Sequence, residues 1–348
     1  MVKEELEKRL KGIFRFLSKY SMGLIDDKKP PLPHVYFSDT DIVDKLTDMF
    51  DSDILAAIAK GEVGIASLEV FEKDKFLDFF ADLQQIHLDH DLTKVQTVFE
   101  EFRPDLVLDI CSGDGEATST TYKLITQINQ HPFRLYAMEQ DVQAQMKAML
   151  RSTDNIEYVL GRLTSDGEII SIPEDLTQFT YKKLQEGFME AKGRKTVVAL
   201  NACGFLSDHV AKYASKNNID SFCISRCHYN WLEYRPWFIP TNPEIPMTDH
   251  LVSKLSSEHR IELELTQATM SMDFIDPENP FESLLSEFFK IGPTERATDP
   301  RVANLLLYDL IKQAITIDLA LQMNSHDYNV VVVRWGKDYA AYGSKHNK

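Results

Sequence analysis

Cysteine is scarce in this 348-residue chain: there are four, Cys111, Cys203, Cys223 and Cys227. Each falls in or beside an apolar, strand-like run, which is the habit of buried thiols in a reducing compartment and not of a disulfide framework. Long hydrophobic runs are missing as well. No apolar stretch approaches the roughly 20 residues that cross a bilayer. The first residues, Met1-Val2-Lys3-Glu4-Glu5-Leu6, are charged and lack the apolar core of a secretory signal. A soluble, cytoplasmic protein without a membrane partner is expected. Positive charge is the third deficit: Lys+Arg 38 against Asp+Glu 54 leaves a net charge of −16. That balance repels phosphate backbones at long range and disfavours nucleic acid as a partner, while it suits a small molecule or a cationic acceptor. Internal repeats and low-complexity tracts are absent too, so the length points to one elaborated domain or two.

The chain that remains divides by rhythm. Leu6, Leu10, Ile13, Phe14, Leu17 and Tyr20 recur at helical spacing. Pro30-Pro31-Leu32-Pro33 makes a stiff connector, and Ser38 caps a second helix carrying Ile42, Val43, Leu46, Met49 and Phe50. Gly61 closes a third helix, Ser67 opens a fourth, and a fifth over 92–102 halts before Pro104. Residues 1–103 thus read as an all-helical N-terminal domain. From Leu106 the pattern alternates. Strands are expected at 106–110, 133–138, 156–160, 196–200 and 220–225, with helical segments between them. This is an α/β order, βαβ units in a mostly parallel sheet with helices on both faces. The segment 173–192 is long for one crossover helix, and Gly187 marks a bend within it. Residues 104–348 read as one domain with an insertion at about 231–328, dense in proline and aromatics. A strand is expected at Ile261–Leu265, a helix at Val302–Gln322, a final strand at Asn329–Trp335 and a frayed tail after Gly343.

The sheet is organised around Leu106-Val107-Leu108-Asp109-Ile110-Cys111-Ser112-Gly113-Asp114-Gly115. An apolar strand ends in an acid and then in G-x-G, where backbone can approach a ligand and the following helix aims its free amides. A dinucleotide fingerprint needs a third glycine, and Thr118 stands in its place. The next strand ends in Glu139, followed by Gln140. A carboxylate at that point can accept both hydroxyls of a ribose; the alternative is a charge at the start of the next helix. Gly161, Arg162 and Leu163 follow the third strand, where a nucleobase would lie, and Asp166 is the nearest acid beyond them.

Asp109-Ile-Cys-Ser-Gly113-Asp-Gly115 resembles the acid-then-G-x-G turn of class I S-adenosylmethionine-dependent methyltransferases. Leu200-Asn201-Ala202-Cys203-Gly204 is similar to the Leu-His-Ala-Cys-Gly segment of a broad methyltransferase-domain family, one that includes a relative among tRNA ribose methylases. Ser225-Arg226-Cys227-His228-Tyr229 stands where that family has paired cysteines and tyrosine. The resemblance covers about 106–232 and departs at two residues: Asn201 replaces the histidine and Arg226 the first paired cysteine. It implies that the sheet is Rossmann-like and that the cofactor is S-adenosylmethionine, held by Asp109, Cys111, Ser112, Gly113, Gly115, Glu139, Gln140, Gly161, Arg162, Leu163, Asn201 and Ala202. It also implies methylation of an N or O atom on a small molecule or protein. An RNA methylase and an inactive binding module stand as alternatives; for RNA, residues 181–195 offer only Lys182, Lys183, Lys192, Arg194 and Lys195.

Asn201 lies where amine methylases place an amide that accepts from the substrate amine. A strand-end cap explains it equally well. His228 and Tyr229 are the general-base candidates. Trp231, Tyr234 and Trp237, with Phe238, offer aromatic faces to a flat or cationic acceptor, or else pack the insertion. No metal is expected. Cys223, Cys227 and His228 lack a second ligand pair, and His87, His90 and Asp91 read as a solvated helix end.

Overall fold

The computed structural model describes residues 3–23, 35–37, 99–100, 102–129, 131–151, 155–172, 179–203, 206–227, 300–335 and 338–345. By its contacts the chain falls into two compact units. One joins Asp89–Cys227 to Gln322–Lys348, and the other joins Val2–Leu88 to His228–Leu321.

In the second unit, α1 (Lys3–Tyr20) buries Leu6, Leu10 and Ile13, the stripe its spacing predicts. It is followed by β1 (Ser21–Gly23) and β2 (Val35–Phe37), paired antiparallel with Met22 opposite Tyr36. The all-helical reading of the N-terminal segment is corrected here. β-prone Val35-Tyr36-Phe37 pairs with Ser21-Met22-Gly23, the residues that directly follow α1. The helices expected over 38–98 and the strand at 261–265 lie outside the described residues.

The sheet unit runs β3 (Leu106–Ile110), α2 (Glu116–Ile128), β4 (Arg134–Glu139), α3 (Val142–Arg151) and β5 (Ile156–Leu160). The small hairpin β6 (Arg162–Leu163) and β7 (Ile169–Ile170) comes next, then α4 (Phe179–Leu184), β8 (Lys195–Cys203), α5 (Leu206–Lys216) and β9 (Ser221–Cys227). In chain order the helix α6 (Pro300–Asn324), which belongs to the other unit as far as Leu321, precedes β10 (Tyr328–Trp335) and β11 (Asp338–Lys345). The strands order as β10-β11-β9-β8-β3-β4-β5. Neighbours from β9 through β5 pair in parallel, and β11 lies antiparallel to both β9 and β10. Every residue of β3 is buried, as a central strand covered on both faces requires. Phe99, Val107, Ile125, Leu135, Ala137, Val198, Cys223 and Val333 form the core on one of those faces.

Ser344 and Lys345, the first residues of the tail expected to fray, instead belong to β11, and 346–348 lie outside the described residues. Gly343 sits in β11 between Val330 and Phe222, and a Cβ there would lie 2.3 Å from the carbonyl oxygen of Asn329. The run Ala-Ala-Tyr-Gly-Ser has little β preference of its own, so its two partner strands decide its conformation. The expected last strand is therefore the last but one.

The bend at Gly187 takes the form of a π turn, Gln185–Met189, continuing α4. A Cβ on Gly187 would lie 2.1 Å from the hydroxyl oxygen of buried Tyr136. Gly187→Ala is expected to cost about 1–3 kcal/mol by overpacking. Part of the loss should return in a Tyr136→Phe background, because that hydroxyl is the nearest atom. Urea unfolding of the single and double variants reads both effects, and an undiminished loss in the double variant would contradict the contact.

Candidate functional site

From β3 the chain winds outward to β4 and β5 on one side, then returns to place β8 and β9 on the other. Parallel strands that part in this way leave a crevice at their carboxyl ends, where open α/β sheets bind ligands. The turn 111–115 lies at the end of β3, Glu139 at the end of β4, and Asn201–Cys203 extend β8 beyond its pairing with β3.

Three residues of the turn hold left-handed backbone: Cys111 (φ 68°), Gly113 (φ 55°) and Gly115 (φ 82°). A chain bent so sharply must be fastened from outside. The amides of Cys111 and Ser112 both donate to the Met138 carbonyl, at 2.9 and 3.2 Å, and Gly115 N–H donates to the Ser112 carbonyl at 3.0 Å. The Gly113 amide donates to Oε2 of Glu139 at 2.9 Å. The other oxygen of that carboxylate, Oε1, accepts from the amides of Gln140 at 2.8 Å and Asp141 at 3.0 Å. Glu139 therefore spans two strand ends. It also answers for the amides that open the loop into α3, so the two sequence readings of this residue are compatible.

The two glycines do different work. A Cβ on Gly115 would come 2.7 Å from Cβ of Ala148, so the bare backbone lets α3 pack against the turn. A Cβ on Gly113 would meet nothing within 4 Å, so its missing side chain leaves open space on the turn. Nearby, the Ser112 hydroxyl is buried with no hydrogen-bond partner. α2 starts from Gly115 with no side chain capping its first amides. Asp114 reaches from the turn to an ion pair with Arg151 at the end of α3.

Asp109 lies beneath this surface. Its carboxyl is 2% exposed and its Oδ2 accepts from the Thr118 hydroxyl at 2.6 Å. Burial drives its pKa from 3.8 up to about 7, against the Thr118 hydrogen bond, which lowers it, and with the charge of Glu139, which raises it further. Thr118 was legible only as a missing glycine. The signal that marks it is a hydroxyl one helical turn past the glycines, opposite a strand-end acid.

Gly161 follows β5, with its amide donating to the Glu139 carbonyl at 3.1 Å, and a Cβ there would press on Sδ of Met138 at 3.0 Å. Arg162 is exposed and Leu163 buried on the hairpin beyond; Asp166 turns that hairpin, exposed, its carbonyl taking Lys216 Nζ at 2.8 Å. Gln140 is exposed and Ala202 is buried. Asn201 falls in a β-bulge. The pairing of β8 with β9 runs Ala199 to Ile224 and then Ala202 to Arg226, so Leu200 and Asn201 together oppose Ser225. Such bulges bend a strand end and re-aim what it carries.

Cys223 is buried in the sheet, its thiol pushed up to about 12 by burial and then by the charge of Asp109. Among the described residues no group of His, Cys, Asp and Glu could hold a metal, and no helix is long and apolar enough to cross a membrane. His228, Tyr229, Trp231, Tyr234 and Trp237 lie outside the described residues, as do His87 and His90.

Sheet order, glycine turn and the Glu139 carboxylate define a Rossmann-like α/β unit with its candidate site at the switch point, an arrangement consistent with a methyltransferase fold. No protein-family model and no curated protein sequence matches the chain. Two of the solved structures similar to it are plantazolicin methyltransferases. The plantazolicin methyltransferase BamL, in complex with a triazolic desmethylPZN analog and SAH, matches at 9% identity and a TM-score of 0.26, over 99% of this chain and 100% of that one. The plantazolicin methyltransferase BpumL, with a pentazolic desmethylPZN analog and SAH, matches at 11% identity and a TM-score of 0.26, over 88% and 100%. Superpositions this loose carry no argument about chemistry. The fold rests on the strand order and the turn.

Proposed function

We propose that the protein is an S-adenosylmethionine-dependent methyltransferase acting on an N or O atom of a small molecule or protein. The observation that carries the reading is the bond from Gly113 N–H to Glu139. In a diphosphate-binding turn such an amide points at the ligand's phosphates. Here the Glu139 carboxylate already holds it and places a negative charge at the turn. That charge repels a dianionic pyrophosphate and suits a ligand bearing an ammonium and a sulfonium. Open space at Gly113 and the unpartnered Ser112 hydroxyl fit a ligand laid across the turn.

In this reading Gly113 and Gly115, with Cys111 and Ser112, hold the amino-acid end of the cofactor, and the uncapped start of α2 faces its carboxylate. Glu139 accepts from the ribose hydroxyls, with Gln140 beside it, and Gly161, Arg162 and Leu163 border the adenine. Asn201 and Ala202 close the crevice from β8. S-adenosylmethionine would supply an electrophilic methyl group on a sulfonium. The chain's task is to hold an acceptor lone pair in line with it, exclude water, and remove the acceptor's proton. Asn201 is assigned to orienting the acceptor, His228 and Tyr229 to taking its proton, and Trp231, Tyr234 and Trp237 to its binding.

Isothermal calorimetry tests the cofactor directly. S-adenosylhomocysteine is expected to bind with a Kd in the micromolar range or below, and NAD to give no heat. The reverse result would sink the proposal. A shift of labelled RNA by the protein at physiological salt would favour the RNA alternative over a small-molecule or protein acceptor.

A further inference from the structure

Thr118 stands where a dinucleotide turn has its third glycine, and it is fully buried. It is the third residue of α2, and its hydroxyl meets Asp109, the fourth residue of β3, at 2.6 Å. The strand that enters the turn and the helix that leaves it are thus tied together beneath it, side chain to side chain. The turn between them holds left-handed residues at 111, 113 and 115 and closes on itself through one bond, from Gly115 N–H to the Ser112 carbonyl. Its upper fastenings are the Met138 carbonyl and Glu139. The Asp109–Thr118 bond is its base.

We propose that Thr118 is a positioning residue for the cofactor: by bonding Asp109 it fixes the first turn of α2 against the end of β3, and so sets where the Gly113–Gly115 backbone meets the ligand. The inference rests on the methyltransferase reading and deepens it. A neutral valine of the same shape would keep the packing and lose the tie. The ionised form of Asp109 makes the stronger bond to a hydroxyl donor. Asp109 also faces Glu139 from β4 and Cys223 from β9, and the sheet register places Tyr158 of β5 and Tyr342 of β11 in the same row on that face. Neither Glu139 nor Cys223 favours the ionised form. Thr118 does, so loss of its hydroxyl moves the protonation of Asp109 to higher pH.

The test is calorimetric titration of the full chain with S-adenosylhomocysteine between pH 5.5 and 9, for the wild type, Thr118→Val and Thr118→Ser. Wild-type affinity is expected to rise with a midpoint near pH 7. Thr118→Val should bind at least tenfold more weakly at pH 7, with its midpoint displaced upward, and Thr118→Ser should restore both. A role in packing alone would move affinity without moving the midpoint. If Thr118→Val does not fold, Thr118→Cys carries the same expectation, its thiol being a weaker donor in the same place. Wild-type binding with an unmoved midpoint in the valine or cysteine variant overturns the positioning role and leaves the methyltransferase reading standing. No binding by the wild type at any pH overturns that reading, and this inference falls with it.

Discussion

Asp109→Asn is expected to stabilise the ligand-free protein at pH 8 by about 2–4 kcal/mol while weakening its hold on the cofactor. The carboxyl is buried at 2% exposure, and its pKa stands at about 7 against the ordinary 3.8. Between those two values the folded protein keeps a proton that the unfolded chain releases. The favourable contribution of the neutral acid is complete below about pH 4 and is lost as pH rises through about 7. Each pH unit of that displacement corresponds to about 1.4 kcal/mol, which puts the ceiling near 4 kcal/mol. An asparagine amide never ionises, and its oxygen still accepts from Thr118. The stability advantage of the variant should therefore grow between pH 5 and pH 8, as read by urea unfolding at the two values. Its affinity for S-adenosylhomocysteine should be flat with pH and match that of the wild type at pH 6 or below. A variant less stable than the wild type at pH 8 would show that burial does not govern this carboxyl.

Glu139→Ala is expected to lower affinity for S-adenosylhomocysteine by at least a hundredfold, about 2.7 kcal/mol. Three backbone amides, those of Gly113, Gln140 and Asp141, lose their acceptor at once. Amides freed at a half-buried edge recover part of the loss from water, so the cost in stability is smaller, on the order of 1–3 kcal/mol. The larger loss falls on binding, because the turn loosens and the ribose acceptor disappears together. Glu139→Gln separates the two effects. Its single carbonyl oxygen can serve either Gly113 or the Gln140–Asp141 pair but not both, so it should fall between wild type and Ala in affinity. Equal affinity in all three proteins would remove Glu139 from the site.

Local signals in the chain were enough for part of this. The unbroken apolar run before Asp109, and glycines where the backbone must turn left-handed, specify strand, turn and helix from residues within ten positions of one another. Glu139 is found the same way, as the first acid after an apolar strand. The stripe at Leu6, Leu10 and Ile13 and the long helix at Val302–Gln322 follow from periodicity alone, and the structure ends that helix within two residues at either side.

What the tertiary structure decided lies in contacts between distant positions. Asp109 reads from the sequence as a residue facing the ligand, and only the packing of α2 onto β3 turns it toward Thr118. A side chain at Gly187 is disfavoured because Tyr136, some fifty residues earlier, fills the space a Cβ would need. The Ala-Ala-Tyr-Gly-Ser run becomes a strand because β9 and β10 both offer it unpaired edges, and Asn201 enters a bulge because β9 has one residue fewer between their shared pairs. The sequence by itself determined where the chain turns and which residues are available there. That Asp109 is enclosed against Thr118 while Glu139 holds the amides of the turn and of the loop into α3 was decided by the assembled sheet, which alone sets the partners each acid meets.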